Sequence, residues 1–139
     1  MQKYAEQIAE EDRVVGKHIY ANLYECNVSV ISDEKKLSEI VKKAAELANA
    51  ILYELKVWKF GGSKGGVSVI GLVLESHIAI HTWPKYKFAT VDVYTCGAHT
   101  DPWKAFRYIV SQLKPKNFSV NYTDRSSPII LSQKPSADD

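Results

Sequence analysis

Reactive side chains are concentrated in two short runs of this chain of 139 residues. Ser76 and His81 lie five residues apart in the first run, and Cys96 follows His81 by fifteen residues in the second. A serine or cysteine becomes a nucleophile when a base lies nearby, and histidine, which titrates near neutral pH, often serves as that base. The spacing indicates covalent catalysis or proton transfer if the fold brings these side chains together, although each residue type is also common in purely structural positions.

The composition is that of an ordinary globular protein with one domain. Apolar residues make up 45% of the chain and charged residues 24%, which is enough apolar material for one packed core. The net charge of +2 comes from scattered lysines and acids, so nothing predicts binding to nucleic acid. No apolar run is long enough to span a membrane, and the charged start of the chain lacks the apolar segment of a signal peptide. We therefore expect a cytosolic protein that does not contact the membrane.

Two cysteines, Cys26 and Cys96, are expected to carry free thiols, because the cytosol disfavours disulfides. Cys26 is expected to be a small buried apolar residue, as free cysteines commonly are. A disulfide between the two is the alternative that the sequence leaves open.

Hydrophobic periodicity predicts the elements that must position the reactive residues. Alternation or short apolar runs predict strands, and apolar residues at helical spacing predict helices. Strands are expected at residues 17–25, 51–60, 67–74, 87–95 and 118–122, and an amphipathic helix at residues 33–50. A second helix is expected to begin at Asp101-Pro102, with Trp103, Phe106, Val110 and Leu113 on its inner face. The segment that contains Ser76 and His81 is expected to be extended as well.

The order of these elements predicts an α+β fold, a two-layer sandwich with two helices on one face of a mainly antiparallel sheet. Residues 67–74 are apolar on both sides of their strand, so the other face of the sheet must also be covered. A homodimer packed through that face would cover it. Residues 1–14 are expected to form a mobile arm or a short surface helix, and the tail from Asp124, rich in proline and serine, is expected to be loose.

A metal site is the main alternative that the residue types suggest. The spacings His77-x3-His81 and Cys96-x2-His99 superficially suit zinc. In an extended segment, however, His77 and His81 would lie roughly 13 Å apart at ~3.3 Å per residue, which is too far for one ion. The isoleucines and the Thr-Trp-Pro run around them favour extended structure, so we expect no metal.

Four longer motifs surround the reactive residues: Gly66-Val67-Ser68, the stretch from Glu75 to Pro84, the stretch from Ala89 to Gly97, and Asp-Pro-Trp-Lys-Ala-Phe from Asp101. Together they resemble the S-adenosylmethionine decarboxylase family in its short prokaryotic form. The similarity covers most of the chain, from about Gly16 to Lys116. The resemblance implies a pyruvoyl-dependent carboxy-lyase of polyamine biosynthesis that is made as a proenzyme and cleaves itself.

The resemblance also implies how the proenzyme matures. The hydroxyl of Ser76 attacks the carbonyl of Glu75 and converts the peptide bond into an ester, and β-elimination then releases Glu75 as a new carboxyl terminus. Hydrolysis of the resulting dehydroalanine leaves a pyruvoyl group at position 76. The single domain 1–139 would thus become a β chain of residues 1–75 and an α chain of residues 76–139. His81 is implied as the acid or base of processing, and Ser68 as a second processing residue.

For the decarboxylation itself, the resemblance implies that the pyruvoyl carbonyl forms a Schiff base with the substrate amine and withdraws electrons while carbon dioxide leaves. Cys96 is implied as the proton donor to the resulting α-carbon. Phe60 and Glu75 are expected to contact the substrate. The expected partners are a small-molecule substrate and a second cleaved copy of the chain.

Departures from the family pattern bear on the substrate. S-adenosylmethionine decarboxylases typically carry His-x-Phe-x-Pro-x-Gly before the processing serine, whereas here Trp58-Lys59-Phe60 precedes a glycine loop, residues 61–65, without the proline. This resembles the archaeal branch that decarboxylates L-arginine to agmatine, so we expect arginine first and S-adenosylmethionine second. Lys85, where the family usually has glutamate, does not distinguish the two. A third hypothesis, an unprocessed partner subunit without activity, is opposed by the presence of all four site residues, Ser68, Ser76, His81 and Cys96.

Overall fold

The structure, a computed structural model, describes residues 13–129 of the chain. Most of the N-terminal arm predicted at residues 1–14 and the last part of the predicted loose tail lie outside the described residues. Arg13 and Val14, which are described, lie in neither a helix nor a strand.

Six strands form one sheet with the order β2-β3-β4-β5-β1-β6. Every neighbouring pair is antiparallel, which confirms the predicted antiparallel sheet. The strands have the bounds β1 Gly16–Tyr24, β2 Leu52–Phe60, β3 Gly66–Val73, β4 Ser76–Trp83, β5 Phe88–Cys96 and β6 Asn117–Asp124. The segment that contains Ser76 and His81 is therefore a strand, as predicted.

The two predicted helices are present, together with a short helix that the periodicity did not predict. Their bounds are α1 Val28–Ile31, α2 Glu34–Leu47 and α3 Pro102–Leu113. The side chain of Asp33 accepts a hydrogen bond from the Lys36 amide and caps α2, and Asp101 caps α3 in the same way. Because α1 has only four residues, it is too short to show a hydrophobic period.

The inner face of α3 differs in part from the prediction. Phe106 and Leu113 are buried as expected, but Trp103 and Val110 are only half-buried. Ala105 and Ile109 instead complete the buried surface, along with Pro102 at the start of the helix. Trp103 lies at the margin of the helix, where its ring stacks on Tyr122 of the edge strand β6 at a centroid distance of 6.1 Å.

Alternation along the strands separates a core face of the sheet from an open face. The core face packs against α2 and α3 and is apolar, with Ile19, Leu23, Val69, Ile80 and Val91 among its fully buried side chains. The open face carries the residues between them in each strand, including most of the predicted site. No element of residues 13–129 covers the open face.

The tail from Asp124 was predicted to be loose, but its first residues are held by hydrogen bonds. The amide of Arg125 donates a hydrogen bond to the carbonyl of Gly16, and the amide of Ser127 donates one to Val14. A Cβ atom at Gly16 would lie 2.6 Å from the carbonyl oxygen of Arg125, so only glycine lets the tail approach this closely. The tail is thus fixed against the start of β1, next to the end of β5 that carries Cys96.

Candidate active site

The predicted cleavage bond lies in a tight hairpin. Leu74 and Glu75 form the turn between β3 and β4, and Ser76 pairs with Val73 as the first residue of β4. The side-chain oxygen of Ser76 is buried and has no hydrogen-bond partner among the described residues. A buried hydroxyl without a partner is costly and uncommon, so this one calls for a functional explanation. The predicted role of Ser76 as the nucleophile towards the Glu75 carbonyl is such an explanation.

The thiol of Cys96 lies next to the predicted cleavage bond. Cys96 Sγ is 3.8 Å from the carbonyl oxygen of Glu75, within hydrogen-bonding range for a sulfur donor. Cys96 is half-buried at the end of β5, and Gly97 follows it with a φ of 105°, a conformation that favours glycine. The amide of Gly97 also donates a hydrogen bond to the carbonyl of Val15. This turn fixes the backbone on which the thiol is carried.

Tyr94 and Arg125 extend this cluster, and sequence reasoning missed both. Tyr94 is two residues before Cys96 on the same face of β5, and hydrogen bonding to the Cys96 side chain is the main cause that raises the pKa of Tyr94. The Arg125 guanidinium lies over the Tyr94 ring, with its Cζ 4.5 Å from the ring centroid, and its charge opposes that rise. The alternation of β5 could have indicated Tyr94, but the contact with Arg125 depends on how the tail folds back.

Asp92 links two histidines on the same face and was also missed. His18 of β1 and His77 of β4 place their Nε2 atoms 3.1 Å and 3.6 Å from Asp92 Oδ2. The hydrogen bond to His77, with that to His18, holds the pKa of Asp92 below its usual value despite partial burial. The rings of His18 and His77 flank Tyr94 at centroid distances of 5.3 Å and 5.7 Å. The carboxylate therefore orders the side chains that surround Tyr94.

Ser68 and His81 form a second cluster on the open face. They are directly paired across β3 and β4, and Ser68 Oγ lies 2.8 Å from His81 Nδ1. Ser68 is buried, and this hydrogen bond satisfies its hydroxyl. His81 lies five residues beyond Ser76 along β4, roughly 17 Å at ~3.3 Å per residue. The structure therefore brings Ser68 to His81, but it does not bring His81 to the Ser76 of the same chain.

Phe60 lies at the end of the sheet where Ser68 and His81 meet. Its ring contacts Trp83 edge-on at 6.1 Å, and Trp83 in turn stacks on Phe88 and Phe88 on Tyr24, at 5.6 Å and 5.7 Å. These four rings form an aromatic row across the sheet. A cleft of about 260 Å³ adjoins the row, and Phe60 and Gly66 help to line it. Within one chain, Phe60 is thus near His81 and far from Glu75.

The geometry of the described residues bears on the disulfide and on the metal site that the residue types suggested. Cys26 and Cys96 are both free, and they lie near opposite ends of β1, so they form no disulfide. Burial raises the pKa of the Cys26 thiol to about 11, as expected for a structural cysteine. Residues 13–129 contain no group of three or more histidine, cysteine or acidic side chains arranged to hold a metal ion.

The sequence and the fold can be compared with those of known proteins. A family model described as S-adenosylmethionine decarboxylase matches residues 17–126. The chain belongs to the S-adenosylmethionine decarboxylase family. This confirms the family that the motifs indicated, and it confirms the enzyme class, a carboxy-lyase.

Individual relatives within the family carry two names. The chain is 66% identical over 114 residues to the arginine decarboxylase proenzyme of Pyrobaculum arsenaticum, covering 81% of this chain and 86% of that protein. It is 57% identical over 120 residues to the S-adenosylmethionine decarboxylase proenzyme of Sulfurisphaera tokodaii, covering 86% and 96%. The crystal structure of the adenosylmethionine decarboxylase from Aquifex aeolicus shares the fold, with a TM-score of 0.73, 33% identity and coverage of 89% and 98%. Among residues 13–129, no helix is long and apolar enough to cross a membrane.

Proposed function

We propose that this family member is a self-cleaving, pyruvoyl-dependent decarboxylase that converts L-arginine to agmatine and carbon dioxide. The observation that carries the proposal is the arrangement at the hairpin. The buried hydroxyl of Ser76 has no partner, and the Cys96 thiol lies 3.8 Å from the carbonyl oxygen of the preceding residue, Glu75. The names of the relatives, which describe proenzymes, support a maturation step.

Maturation begins with attack of Ser76 Oγ on the carbonyl carbon of Glu75. The new C–O bond replaces the C–N bond, and the hydroxyl proton moves to the released amine, so that an ester joins the two residues. Loss of the α-proton of residue 76 then breaks the Cβ–Oγ bond and frees Glu75 as a carboxylate. The resulting enamine becomes an imine, and water converts it to the pyruvoyl carbonyl with release of ammonia. Cys96, beside the same carbonyl, can donate a hydrogen bond to its oxygen during the attack.

The residues around position 76 fit a pyruvoyl group. Such a group supplies an electrophilic carbonyl that binds the substrate amine and accepts electrons as carbon dioxide leaves. Cys96, whose thiol adjoins the backbone on which the group would form, is placed to deliver a proton to the substrate α-carbon. Tyr94 is the next polar side chain along β5 and remains protonated over a wider pH range, because hydrogen bonding to Cys96 raises the pKa of Tyr94.

A second copy of the chain completes the site in this proposal. His81 is the implied acid or base of processing, yet it lies roughly 17 Å from the Ser76 of its own chain at ~3.3 Å per residue. The Ser68–His81 pair and Cys96 lie on the open face of the sheet, the hairpin lies at the end of strands β3 and β4, and the described residues leave that face uncovered. In a twofold dimer packed through this face, the Ser68–His81 pair of one copy can lie against the hairpin of the other. The homodimer thus accounts for the separation of the two clusters.

Arginine is the first substrate because of the glycine loop and the similarity to relatives. Trp58-Lys59-Phe60 and the loop that follows replace the pattern expected of S-adenosylmethionine decarboxylases. The 66% identity to an arginine decarboxylase proenzyme supports the same choice. S-adenosylmethionine is the second candidate, favoured by the half-buried Phe60 in the aromatic row, where a purine ring could stack. An arginine substrate does not need this stacking surface, but it requires a carboxylate in the site to bind its guanidinium.

The substrate is tested by incubating the purified protein with arginine and with S-adenosylmethionine in parallel and measuring carbon dioxide release. Release from arginine alone is the expected result. Release from S-adenosylmethionine alone would assign the second substrate. A processed protein that is inactive with both compounds would contradict the proposed reaction.

A further inference from the structure

Four polar residues, all with hydroxyl side chains, are buried within residues 13–129. Ser68 is paired with His81, and the hydroxyl of Thr82 bonds to the carbonyl of Ile31 and accepts from the backbone of β3. The other two are Thr95 and Thr100, which are 0% and 5% exposed. Buried hydroxyls normally form hydrogen bonds, so we asked which partners these two have.

Thr95 and Thr100 form a short chain of hydroxyls under the end of β5. Thr100 Oγ1 lies 2.9 Å from Thr95 Oγ1 and also 2.9 Å from the carbonyl oxygen of Gly97. A hydroxyl has one proton to donate. Thr100 can give its proton to Thr95 or to the carbonyl of Gly97, and in the second case Thr95 donates to Thr100. In both cases Thr95 Oγ1 keeps a lone pair that is free to accept.

The register of the sheet places Ser76 beside this acceptor. His77 pairs with Tyr94 across β4 and β5, so the next position along brings Ser76 opposite Thr95. Both side chains point to the core face, where Ile78 and Val93 of the neighbouring pair are also fully buried. Directly opposite residues have Cβ atoms about 4.5–5.5 Å apart, which is within reach of a hydrogen bond after a small side-chain rotation. The unpartnered hydroxyl of Ser76 and the free lone pairs of Thr95 are therefore neighbours.

We propose that Thr95 is a positioning residue for self-cleavage, which rests on the proposed maturation at Ser76. Thr95 accepts the hydrogen bond of the Ser76 hydroxyl and so turns a lone pair of Ser76 Oγ towards the Glu75 carbonyl carbon. Thr100 keeps Thr95 in the accepting orientation. Cys96, the next residue after Thr95, contacts the oxygen of the same carbonyl, so adjacent residues of β5 act on the nucleophile and on its target.

The inference is tested by following the conversion of freshly purified precursor into two chains by mass spectrometry. Thr95→Val keeps the side-chain shape but removes the hydroxyl, and we expect it to slow cleavage roughly tenfold, as loss of one hydrogen bond would. Thr95→Ser restores a hydroxyl, and we expect cleavage within about threefold of wild type. Thr100→Val frees Thr95 to rotate, and a slowing smaller than that of Thr95→Val is expected. Hydroxylamine, which cleaves esters, should not accelerate Thr95→Val if the first attack is the step affected.

Thr82→Val is the matched control, because it also removes a buried threonine hydroxyl but lies far along β4 from the hairpin. Normal cleavage in this variant would separate positioning from a general loss of stability. Wild-type cleavage rates in both Thr95→Val and Thr100→Val would overturn the inference, and so would failure of Thr95→Ser to restore the rate. If Thr95→Val does not fold, the Thr95→Ser and Thr100→Val rates decide. A wild-type protein that never cleaves would instead refute the proposed maturation itself.

Discussion

Cys96 Sγ lies 3.8 Å from the carbonyl oxygen of Glu75, although 21 residues separate the two in the sequence. The pairing of β4 with β5 creates this contact, because it aligns the end of β5 with the hairpin that precedes Ser76. A thiol at this position is close both to the carbonyl that the proposed maturation attacks and to position 76, where the proposed substrate would bind. The contact therefore brings the two proposed reactions together at one end of strands β4 and β5.

Replacement of Cys96 by alanine should separate these reactions. We expect Cys96→Ala to be cleaved, while carbon dioxide release falls by about 10²–10⁴-fold, the usual contribution of a positioned general acid. Chain masses and carbon dioxide release measured on the same sample provide the two readouts. Cys26→Ala is the matched control, because Cys26 is buried and has no contact with the hairpin. Normal turnover by Cys96→Ala would show that another group donates the proton.

Co-expression of two defective chains should test whether the site is shared between copies. We expect His81→Ala alone to remain largely uncleaved and Ser76→Ala to remain a single chain. In a mixed dimer, the His81→Ala chain receives His81 from its Ser76→Ala partner, so we expect the His81→Ala chain to be cleaved. With random assortment, cleaved chains should reach about a quarter of all chains.

The control for this experiment is co-expression with a chain that carries both substitutions. That chain offers no histidine, so no rescue is expected. Rescue by the double variant, or full cleavage of His81→Ala by itself, would contradict a site shared between two copies.

The sequence predicted most of the fold, because the signals for the strands and for the two long helices are local. Alternation predicted the bounds of β1 and β5 to within one residue, and the Asp101-Pro102 pair predicted the start of α3. The four-residue α1 and the burial of Ile109 in place of Trp103 depend on packing between elements. The fixed start of the tail likewise depends on the contact of Arg125 with Gly16.

The residues of the candidate site could be named from the sequence, but their arrangement in space could not. Motif resemblance identified Ser68, Ser76, His81 and Cys96, whose roles remain predictions. Strand register, which no local pattern contains, divides them into two clusters. It also brings in Asp92, which lies between two histidines from different strands. A side chain that acts through neighbours on other strands leaves little signal in a single sequence.

Asp92 should make stability depend on pH in the acid range. Hydrogen bonds to His77 and His18 hold the pKa of Asp92 below its ordinary value of 3.8, so folding favours the carboxylate. The resulting stabilisation is present above the ordinary value and is lost as pH falls through the lowered one. We therefore expect Asp92→Asn to lower the free energy of unfolding at about pH 6, and the difference to shrink towards about pH 3.

Urea unfolding at both pH values measures this difference. Asp33→Asn is the control, because asparagine caps a helix about as well as aspartate. If the difference in the free energy of unfolding between wild type and Asp92→Asn stays constant down to about pH 3, the stabilisation does not come from the ionised Asp92 carboxylate.

Gly66 should be a site where a single methyl group disrupts the sheet. A Cβ atom there would overlap the carbonyl oxygen of Thr82 and crowd the ring of Phe60, whereas one at Gly61 would meet nothing within 4 Å. Gly66→Ala should therefore lower the free energy of unfolding by about 1–3 kcal/mol, the usual cost of overpacking, and Gly61→Ala should have little effect. Urea unfolding of the two variants makes the comparison. Equal stabilities would show that β3 and β4 can separate at this point without cost.

The intact mass of the purified wild-type protein shows whether the chain cleaves itself between Glu75 and Ser76. We expect two chains, of residues 1–75 and 76–139, with the second lighter than a chain that starts with serine by the mass of one ammonia molecule, as a pyruvoyl start requires. Ser76→Ala should give one uncleaved chain. A wild-type protein that remains a single full-length chain, or that breaks but retains serine at position 76, would contradict the account.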